Sequence, residues 1–455
     1  MNMNSSVSVF DASLYSPLFT QQEMKKIWSE NYQIECWLKF EKAIAKVQAE
    51  LGIIPLDAVI SIETACDSLE IDWQRLIKET QVIGMPIKPI IDQVADNGDD
   101  LVKKYLHWGC TTQDLLDSSL SMRLKESLTL IRKQLIALGN QLSNSIVEHQ
   151  NTVMVARTNA IDASATTWGL QMSSYLNEIC RHLSRLEQIY PRAIVGMYGG
   201  AVGNLASVGS QGMDVRDKLC AELGLTVPQG LNNASQDQNV EVIQFFALIH
   251  GTLCRIANDI ELMCRTPIFE AMEGKKGGGS STMPHKTNPR DCNMLQTLSR
   301  MGWMYASGAP NMLDQQDVRS ASMRMLSWNL MPEACLAVST ALFRAKELFE
   351  HLVINVNRMR ENFNASYYFI MSESVMMALA EKIGRQSAYK LMQQVLRGDN
   401  DKKSMIDILL SNKLITDVLS DSEILESCNP SNYLGCNDSL IQETLSSFSR
   451  IKSNL

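Results

Sequence analysis

A pattern of apolar residues spaced for a long helix covers residues 114–149, DLLDSSLSMRLKESLTLIRKQLIALGNQLSNSIVEH. The same helical periodicity recurs over residues 21–51, 166–189, 239–265, 325–352 and 370–396. Segment 239–265 is apolar nearly all round, as a helix inside a bundle must be. Strand patterns are weak and β-α alternation is absent. We therefore predict an all-α fold, an elongated bundle of long helices joined by Gly- and Ser-rich loops.

The chain has 455 residues, which is too many for one compact core. We predict an N-terminal helical domain at residues 1–113 and a central long-helix bundle at 114–362 that carries the polar loops. The helical patterns shorten after residue 397 and turn residues become frequent. This change indicates a small C-terminal helical domain, which we place at 363–455.

Charge and motif content exclude several classes of function. The net charge is −8 and no stripe of Lys and Arg is present, which argues against a nucleic-acid partner. The N-terminal MNMNSSVSVF lacks a basic segment followed by an apolar one, and no run of apolar residues approaches the ~18 of a membrane span. The eleven cysteines form no CxxC pair, and GxGxxG, GxxxxGK and HExxH are absent. We expect a cytoplasmic protein without a metal, a cofactor or a membrane partner.

The most unusual stretch is GKKGGGSSTMPHKTNP, residues 274–289. Its glycines, Gly277 among them, leave the backbone free to move and let amides approach a ligand. One interpretation is a flexible surface linker. The other is a catalytic loop in which Lys286 and Asn288 clamp a carboxylate while the Ser280 hydroxyl handles a proton.

Three further polar loops interrupt the helical patterns. HWGCTTQD, residues 107–114, brings hydroxyl and amide donors to the start of a helix, where the helix dipole also favours an anion. Asp114 could be only an N-cap in this loop. The others are ARTNAIDASATTWG, residues 156–169, and MYGGAVGNLASVGSQG, residues 197–212, whose glycines could simply shape turns.

Together these loops resemble the fumarase/aspartase superfamily. GSSTMPHKTNP resembles its GSSxMPxKxNP signature, and HWGCTTQD resembles its (T/S)SxD region in the HxGATSQD form. The loops at 156–169 and 197–212 resemble its RTxxxxA and GGAxGTLA segments. The N-terminal SPLFTQQEMKKIWSENYQIECWLKFEKAIAKVQAELGIIP is similar to the start of 3-carboxy-cis,cis-muconate cycloisomerases and adenylosuccinate lyases. The resemblance runs from about residue 13 to 395.

The resemblance implies a homotetramer with a long-helix core, in which each active site takes loops from three subunits. It also implies β-elimination, or the reverse addition, at a succinyl-type carboxylate, typically with release of fumarate. A base removes a proton next to a carboxylate to give an aci-carboxylate dianion, which then expels the leaving group. Fixed donors around that carboxylate should supply most of the stabilisation.

The resemblance also assigns residues by position. Ser280 matches the base, and backbone amides must stabilise its alkoxide because a serine is a poor base at its ordinary pKa. The general acid is unassigned, with His107 and Asp162 as candidates. The positions that match substrate contacts are Thr111, Thr112, Gln113, Thr158, Asn159, Asn204, Gln236, Lys286, Asn288 and Arg319.

Several positions depart from both named branches. An Arg-Tyr pair that holds phosphate in adenylosuccinate lyases is Leu14-Tyr15 here, no histidine precedes His107, and the RTHG histidine is Asn159. These changes argue against cleavage of a purine nucleotide. The cycloisomerase histidines are replaced by Asp162 and Asn233. The arginine of their WHTxRD segment is Gln236, which removes a bidentate grip on a carboxylate and argues against a tricarboxylate substrate.

Three functional hypotheses follow. The favoured one is a lyase that makes or breaks a C–N, C–S or C–O bond to a succinyl-type group. The second is lactonisation of the 3-carboxy-cis,cis-muconate cycloisomerase type, against which Gln236 counts. The third is a non-catalytic superfamily scaffold, as some lens crystallins are. The complete Ser280, Lys286 and Asn288 set argues against the third.

Overall fold

The computed structural model describes residues 6–230, 234–274, 278–365, 369–397 and 404–454. It confirms the all-α prediction. The first helices are α1 (Ser16–Phe19), α2 (Gln22–Ile27), α3 (Glu30–Glu50), α4 (Leu56–Asp67), α5 (Trp73–Ile83), α6 (Ile87–Asn97), α7 (Asp100–Tyr105), α8 (Thr112–Glu148), α9 (Trp168–Ala193) and α10 (Gly212–Leu223). They continue with α11 (Asp237–Met263), α12 (Arg290–Gly308), α13 (Ala321–His351), α14 (Val356–Ala365), α15 (Ser372–Ile383), α16 (Arg385–Leu396), α17 (Met405–Ser411), α18 (Lys413–Thr416), α19 (Asp421–Ser427) and α20 (Asn437–Ser453).

Two predicted helices are each broken into two, and local chemistry explains both breaks. The pattern at 21–51 becomes α2 and α3, because Ser29 takes an extended conformation and its side chain accepts a hydrogen bond from the backbone N–H of Tyr32. A serine that caps a new helix in this way ends the preceding one. The pattern at 370–396 becomes α15 and α16, which are separated by Gly384 at φ +78°.

The loop at 156–169 lies largely in a β-hairpin that the sequence patterns did not predict. Strands β1 (Val153–Thr158) and β2 (Ile161–Thr167) pair antiparallel, and a two-residue turn joins them. Both turn residues, Asn159 and Ala160, have positive φ, at 51° and 66°. Such turns match the right-handed twist of the flanking strands. A second antiparallel pair joins β3 (Ala271–Glu273) to β4 (Leu352–Ile354).

The chain divides into two compact units, each assembled from separate sequence segments. Unit 1 comprises Met1–Gln134, Ser184–Gly251 and Leu298–Ala341, and unit 2 comprises Leu135–Leu183, Thr252–Thr297 and Leu342–Leu455. One apolar cluster of unit 1 packs α3, α4, α6 and α7 together, and one cluster of unit 2 joins α15 and α16 to the short helices that follow them. The division at residues 113 and 362 stays a prediction.

Helix α11 is the described helix that is long and apolar enough to cross a membrane by length and composition. In the fold, 67% of its most apolar window is buried. Val242, Ile243, Ile249 and Leu253 are almost inaccessible to solvent. This burial is that of a core helix, as its all-round apolar pattern predicted.

Candidate active site

One buried carboxylate joins the polar loop at 107–114 to the polar loop at 197–212. Asp114 is inaccessible to solvent and accepts hydrogen bonds from the backbone N–H groups of Thr111 at 3.0 Å, Gly199 at 2.9 Å and Gly200 at 3.1 Å. Burial raises the pKa of Asp114, and the three backbone donors oppose that change. Asp114 therefore does more than cap α8, because it fixes the HWGCTTQD loop against the glycines of MYGGAVGN.

His107 forms a dyad with a carboxylate that the sequence analysis did not single out. Its Nδ1 lies 2.6 Å from Oε1 of Glu41, a residue of α3 that is 1% exposed. Burial alone lowers the pKa of His107, but the charge of Glu41, the hydrogen bond to it and the charge of Asp114 reverse the direction, so the pKa is raised. His107 also has φ +57°, a strained conformation for a non-glycine residue. The dyad favours the protonated imidazolium, the form that a general acid needs.

The start of α8 contacts two arginines near the start of α13. Arg319 Nη1 donates to the Thr111 hydroxyl at 3.2 Å, and Arg324 Nη1 donates to Oε1 of Gln113 at 2.7 Å. The Gln113 amide nitrogen donates in turn to Asp117 Oδ2 at 2.5 Å. Thr112 is the first residue of α8. Hydroxyl, amide and guanidinium groups thus converge here, as a site for carboxylates requires.

Two predicted contact residues of unit 1 hold local turns. Asn204 is exposed, and its side-chain oxygen accepts a hydrogen bond from the backbone N–H of Ala206 at 3.2 Å. Gln236 is buried, and its side-chain oxygen accepts from Asn239 Nδ2 at 2.8 Å, in the first turn of α11. Asn233, which was compared with a cycloisomerase histidine, lies outside the described residues.

In unit 2, the candidate acid Asp162 belongs to an ion-pair network of the β1–β2 hairpin. Arg157 makes two 2.8 Å bonds to the buried carboxylate of Glu270 and a 3.1 Å bond from Nε to Asp162. Thr158 and Asn159 lie exposed at the tip of the same hairpin. Asp162 is thus paired with an arginine, whereas His107 is paired with a buried carboxylate.

The signature loop forms a narrow hairpin around Ser280. The backbone N–H of Asn288 donates to the Gly278 carbonyl at 2.9 Å, and that of Ser280 donates to the Lys286 carbonyl at 3.2 Å. Gly278 has φ +72°, and a Cβ atom there would lie 2.4 Å from the backbone oxygen of Asn288, so only glycine fits. Gly277 lies outside the described residues.

The hairpin surrounds the Ser280 hydroxyl with backbone donors. Its Oγ accepts hydrogen bonds from the N–H groups of Thr282 at 3.2 Å and Met283 at 2.9 Å. The Asn288 side-chain amide donates to the Gly278 carbonyl at 2.8 Å, so it holds the hairpin closed, while Lys286 is exposed. The arrangement directs two fixed dipoles at the oxygen where negative charge would develop in an alkoxide.

The predicted residues thus fall into two groups. In unit 1, the loop that leads into α8 carries His107, Thr111 and Gln113, and Arg319 contacts Thr111. In unit 2, one hairpin carries Ser280, Lys286 and Asn288. Sequence reasoning missed Glu41, Asp117, Glu270 and Arg324. A signal existed for Glu41, since it is an acidic residue within the apolar helical pattern of α3. Of the described residues, no group of three His, Cys, Asp or Glu side chains is placed to hold a metal ion.

Known proteins match this chain over most of its length. The family described as Lyase matches residues 10–301, and that described as Adenylosuccinate lyase C-terminus matches residues 369–444. Trans-aconitate decarboxylase 1 of Mycosarcoma maydis is 34% identical over 96% of this chain and 89% of its own length. A 3-carboxy-cis,cis-muconate cycloisomerase of Pseudomonas aeruginosa is 32% identical over 93% of each chain.

The solved structures give the same result. The 3-carboxy-cis,cis-muconate lactonizing enzyme from Pseudomonas putida matches with a TM-score of 0.91 at 30% identity, covering 96% of this chain and 99% of that one. The Lyase match covers more than half of the chain. The family match, the helical fold and the four polar loops, the signature hairpin among them, therefore identify this chain as a member of the fumarase/aspartase superfamily of lyases and related cycloisomerases.

Proposed function

We propose that this protein is a lyase that catalyses β-elimination, or the reverse addition, at a succinyl-type carboxylate and releases fumarate or a related unsaturated acid. The observation that carries the proposal is the pair of backbone N–H groups directed at Ser280 Oγ. A serine becomes a useful base only when its alkoxide is stabilised, and these donors supply that stabilisation without reorganisation.

In the proposed step, the Ser280 alkoxide removes a proton from the carbon next to a carboxylate. The electron pair of that C–H bond moves into the carboxylate to give the aci-carboxylate dianion. The C–N, C–S or C–O bond then breaks, and the leaving group takes the bond's electrons and a proton from His107. Lys286, Thr111 and Arg319 offset the charge that develops on the carboxylates.

The family resemblance implies that the loops carrying Ser280 and His107 come to one active site from different subunits. We therefore propose a homotetramer with active sites shared by three subunits, located in the cytoplasm and acting without nucleic acid or a membrane. The exposure of Lys286 in the hairpin is compatible with this arrangement, because a clamp residue must be free to meet a ligand held elsewhere.

A second candidate is lactonisation of the 3-carboxy-cis,cis-muconate type. It is favoured by relatives and a solved structure with that name that match nearly the whole chain. The name of another relative, trans-aconitate decarboxylase, also points to a polycarboxylic acid. Lactonisation and β-elimination share proton transfer next to a carboxylate, so both would use Ser280.

The test is proton NMR of the purified protein with fumarate and a pool of amines, amino acids and thiols. We expect the fumarate vinyl signal to disappear with one added nucleophile and to persist with Ser280→Ala. Ser281→Ala is the matched control, because Ser281 is exposed and adjacent; it should retain turnover. Removing the base should slow the reaction roughly 10²–10⁴-fold.

The alternatives give different results in the same experiment. Turnover of 3-carboxymuconate without any turnover of fumarate would replace β-elimination by lactonisation. Turnover that survives in Ser280→Ala and is lost in Ser281→Ala would move the base to the neighbouring hydroxyl. Inactivity with every carboxylate, in a folded tetramer, would support the non-catalytic scaffold.

A further inference from the structure

A large cavity in unit 1 is lined in part by Asp117 and Arg324, which contact Gln113 in the candidate site. It has a volume of about 810 Å³ and lies between α3, α5, the start of α8 and the start of α13. Four tryptophans contribute to its walls, Trp28, Trp37, Trp73 and Trp328. Cavities of this size hold small organic molecules in other proteins. The chemistry of its lining therefore indicates what it could bind.

Two buried arginines line this cavity without a carboxylate partner among the residues the structure describes. Arg324 is 8% exposed and Arg123 is 7% exposed, and the Nε atom of each has no hydrogen-bond partner in the part of the chain that the structure describes. Arg324 has its single side-chain bond to Gln113, and the Arg123 guanidinium lies 4.8 Å from the centre of the Trp28 ring. Burying a cation without a counter-charge is costly, so the pair favours an anionic ligand.

Two acidic residues line the cavity, Glu30 and Asp117, and within the described residues neither forms an ion pair with Arg324 or Arg123. Glu30 is exposed to solvent. Asp117 accepts its hydrogen bond from Gln113, and burial raises its pKa to about 7, although Gln113 and the charge of Arg324 oppose the change. Burial also lowers the pKa of Arg123, to about 10, which leaves that side chain charged at neutral pH. The two arginines therefore have no ion-pair partner in the described part of the cavity wall.

The tryptophan rings of the cavity wall are suited to contact an apolar part of a ligand. The indole N–H of Trp28 donates to Ser127 Oγ and that of Trp37 donates to Ser119 Oγ, each at 3.1 Å. These polar atoms are already occupied, so the rings present apolar carbon surface. A ligand would thus place an anionic group at the arginines and a flat or apolar part between the rings.

The cavity adjoins the proposed carboxylate site through Gln113. Arg324 and Arg319 are five residues apart, and they contact Gln113 and Thr111, which are two residues apart. We propose that the cavity binds the part of the substrate that lies beyond the fumarate-forming unit, and that this part is an apolar group bearing its own carboxylate, read by Arg324 and Arg123. The assignment of this ligand to the substrate rests on the proposed lyase function.

The test compares two probes of one shape, β-naphthoate and its neutral amide β-naphthamide, by titration calorimetry with the full-length protein. We expect the wild type to bind the carboxylate about tenfold or more tightly than the amide, because one charge-assisted hydrogen bond is worth at least that factor. Arg324→Gln should remove the preference and leave amide binding unchanged. Arg216→Gln, which alters an equally buried arginine paired with Asp217, should keep it.

Folding is checked by thermal unfolding of each variant. Arg324→Gln should unfold at or above the wild-type temperature, since it removes a buried cation that lacks a carboxylate partner within the described residues. If it does not fold, Arg123→Gln provides the same comparison at the second arginine. Equal affinity for the two probes, or a preference that survives both substitutions, overturns the proposal.

Inhibition kinetics test whether the ligand of this cavity is part of the substrate. β-Naphthoate should inhibit competitively against the succinyl compound identified by NMR, because both would occupy the cavity. Non-competitive inhibition would overturn the assignment to the substrate. Absence of any turnover would count against the proposed lyase function alone, because the calorimetric preference does not depend on catalysis.

Discussion

The signature hairpin around Ser280 and the buried cluster around His107 hold their polar side chains in position by different means. In the hairpin, residues 278–289, the Ser280 hydroxyl accepts hydrogen bonds from backbone N–H groups two and three residues away, and most side chains are exposed. In the cluster, His107 is held by Glu41, which is 66 residues away in the sequence. Local chain geometry positions the first group, and long-range packing positions the second.

The comparison predicts different consequences of substitution. Changes in the hairpin should reduce activity without changing stability, since few buried contacts depend on it. Changes in the buried cluster should alter pKa values and stability as well as activity, because each charge there is only partly compensated.

Among the substitutions that test this comparison, Gly278→Ala should have the largest effect. The new methyl group would meet the backbone oxygen of Asn288 at a position with φ +72°, so the hairpin must open and move Ser280. A displacement of about 1 Å at a reacting group can cost roughly 10²-fold in rate. The measurement is turnover of the nucleophile and fumarate pair identified by NMR, together with the temperature of thermal unfolding, which should not change.

Gly279→Ala provides the control for this prediction. No atom lies within 4 Å of a Cβ built at Gly279, and its φ is not in the left-handed region, so activity should be retained. Equal losses in both variants would mean that general flexibility of the loop, and not the closed hairpin geometry, supports the reaction.

A smaller effect, with a diagnostic pH dependence, is expected for Glu41→Gln. Glu41 raises the pKa of His107, so its neutralisation should lower that pKa. If His107 acts as the acid, activity is lost as pH rises through its pKa, and the alkaline limb of kcat should move to lower pH. We expect kcat near neutral pH to fall about tenfold, within the usual range for a general acid.

The matched control for Glu41 is Glu50→Gln on the same helix. Glu50 is exposed and pairs with Lys218, so both kcat and its pH profile should stay as in the wild type. An alkaline limb that does not move in Glu41→Gln would remove His107 from the role of acid.

The smallest effect concerns stability and distinguishes the cluster from the hairpin. Burial raises the pKa of Asp117 from 3.8 to about 7, so the folded protein binds this proton more tightly than the unfolded chain. The contribution of Asp117 to the free energy of unfolding is complete below about pH 4 and is lost as the pH rises towards 7. In Asp117→Asn, the free energy of unfolding should therefore decrease less over this pH range.

Urea denaturation at several pH values between these limits measures the effect. The control is Asp314→Asn, in an exposed position of the same unit, which should leave the wild-type slope unchanged. If the free energy of unfolding changes with pH equally in Asp117→Asn and the wild type, Asp117 does not carry the buried proton.

Much of this protein was predictable because its main signals are local. Helical periodicity identified the long helices α8, α11 and α13 within a few residues, since one face of each must be apolar to pack. The signature GSSTMPHKTNP located Ser280 and its hairpin, because neighbouring residues supply the donors. The hairpin β1–β2 was missed. Its Arg157 pairs with Glu270, more than a hundred residues away, and a local sequence pattern cannot show such a contact.

The sequence by itself determined the helical class, the superfamily and the residue proposed as the base. Only the tertiary structure decided which charges are buried and what they face: Glu41 beside His107, the backbone donors on Asp114, and two arginines in a tryptophan-lined cavity. The physical reason is that periodicity and turn chemistry act over a few residues. The pKa of a buried group and its need for a counter-charge depend on whatever the fold brings within a few ångströms, however distant in the chain.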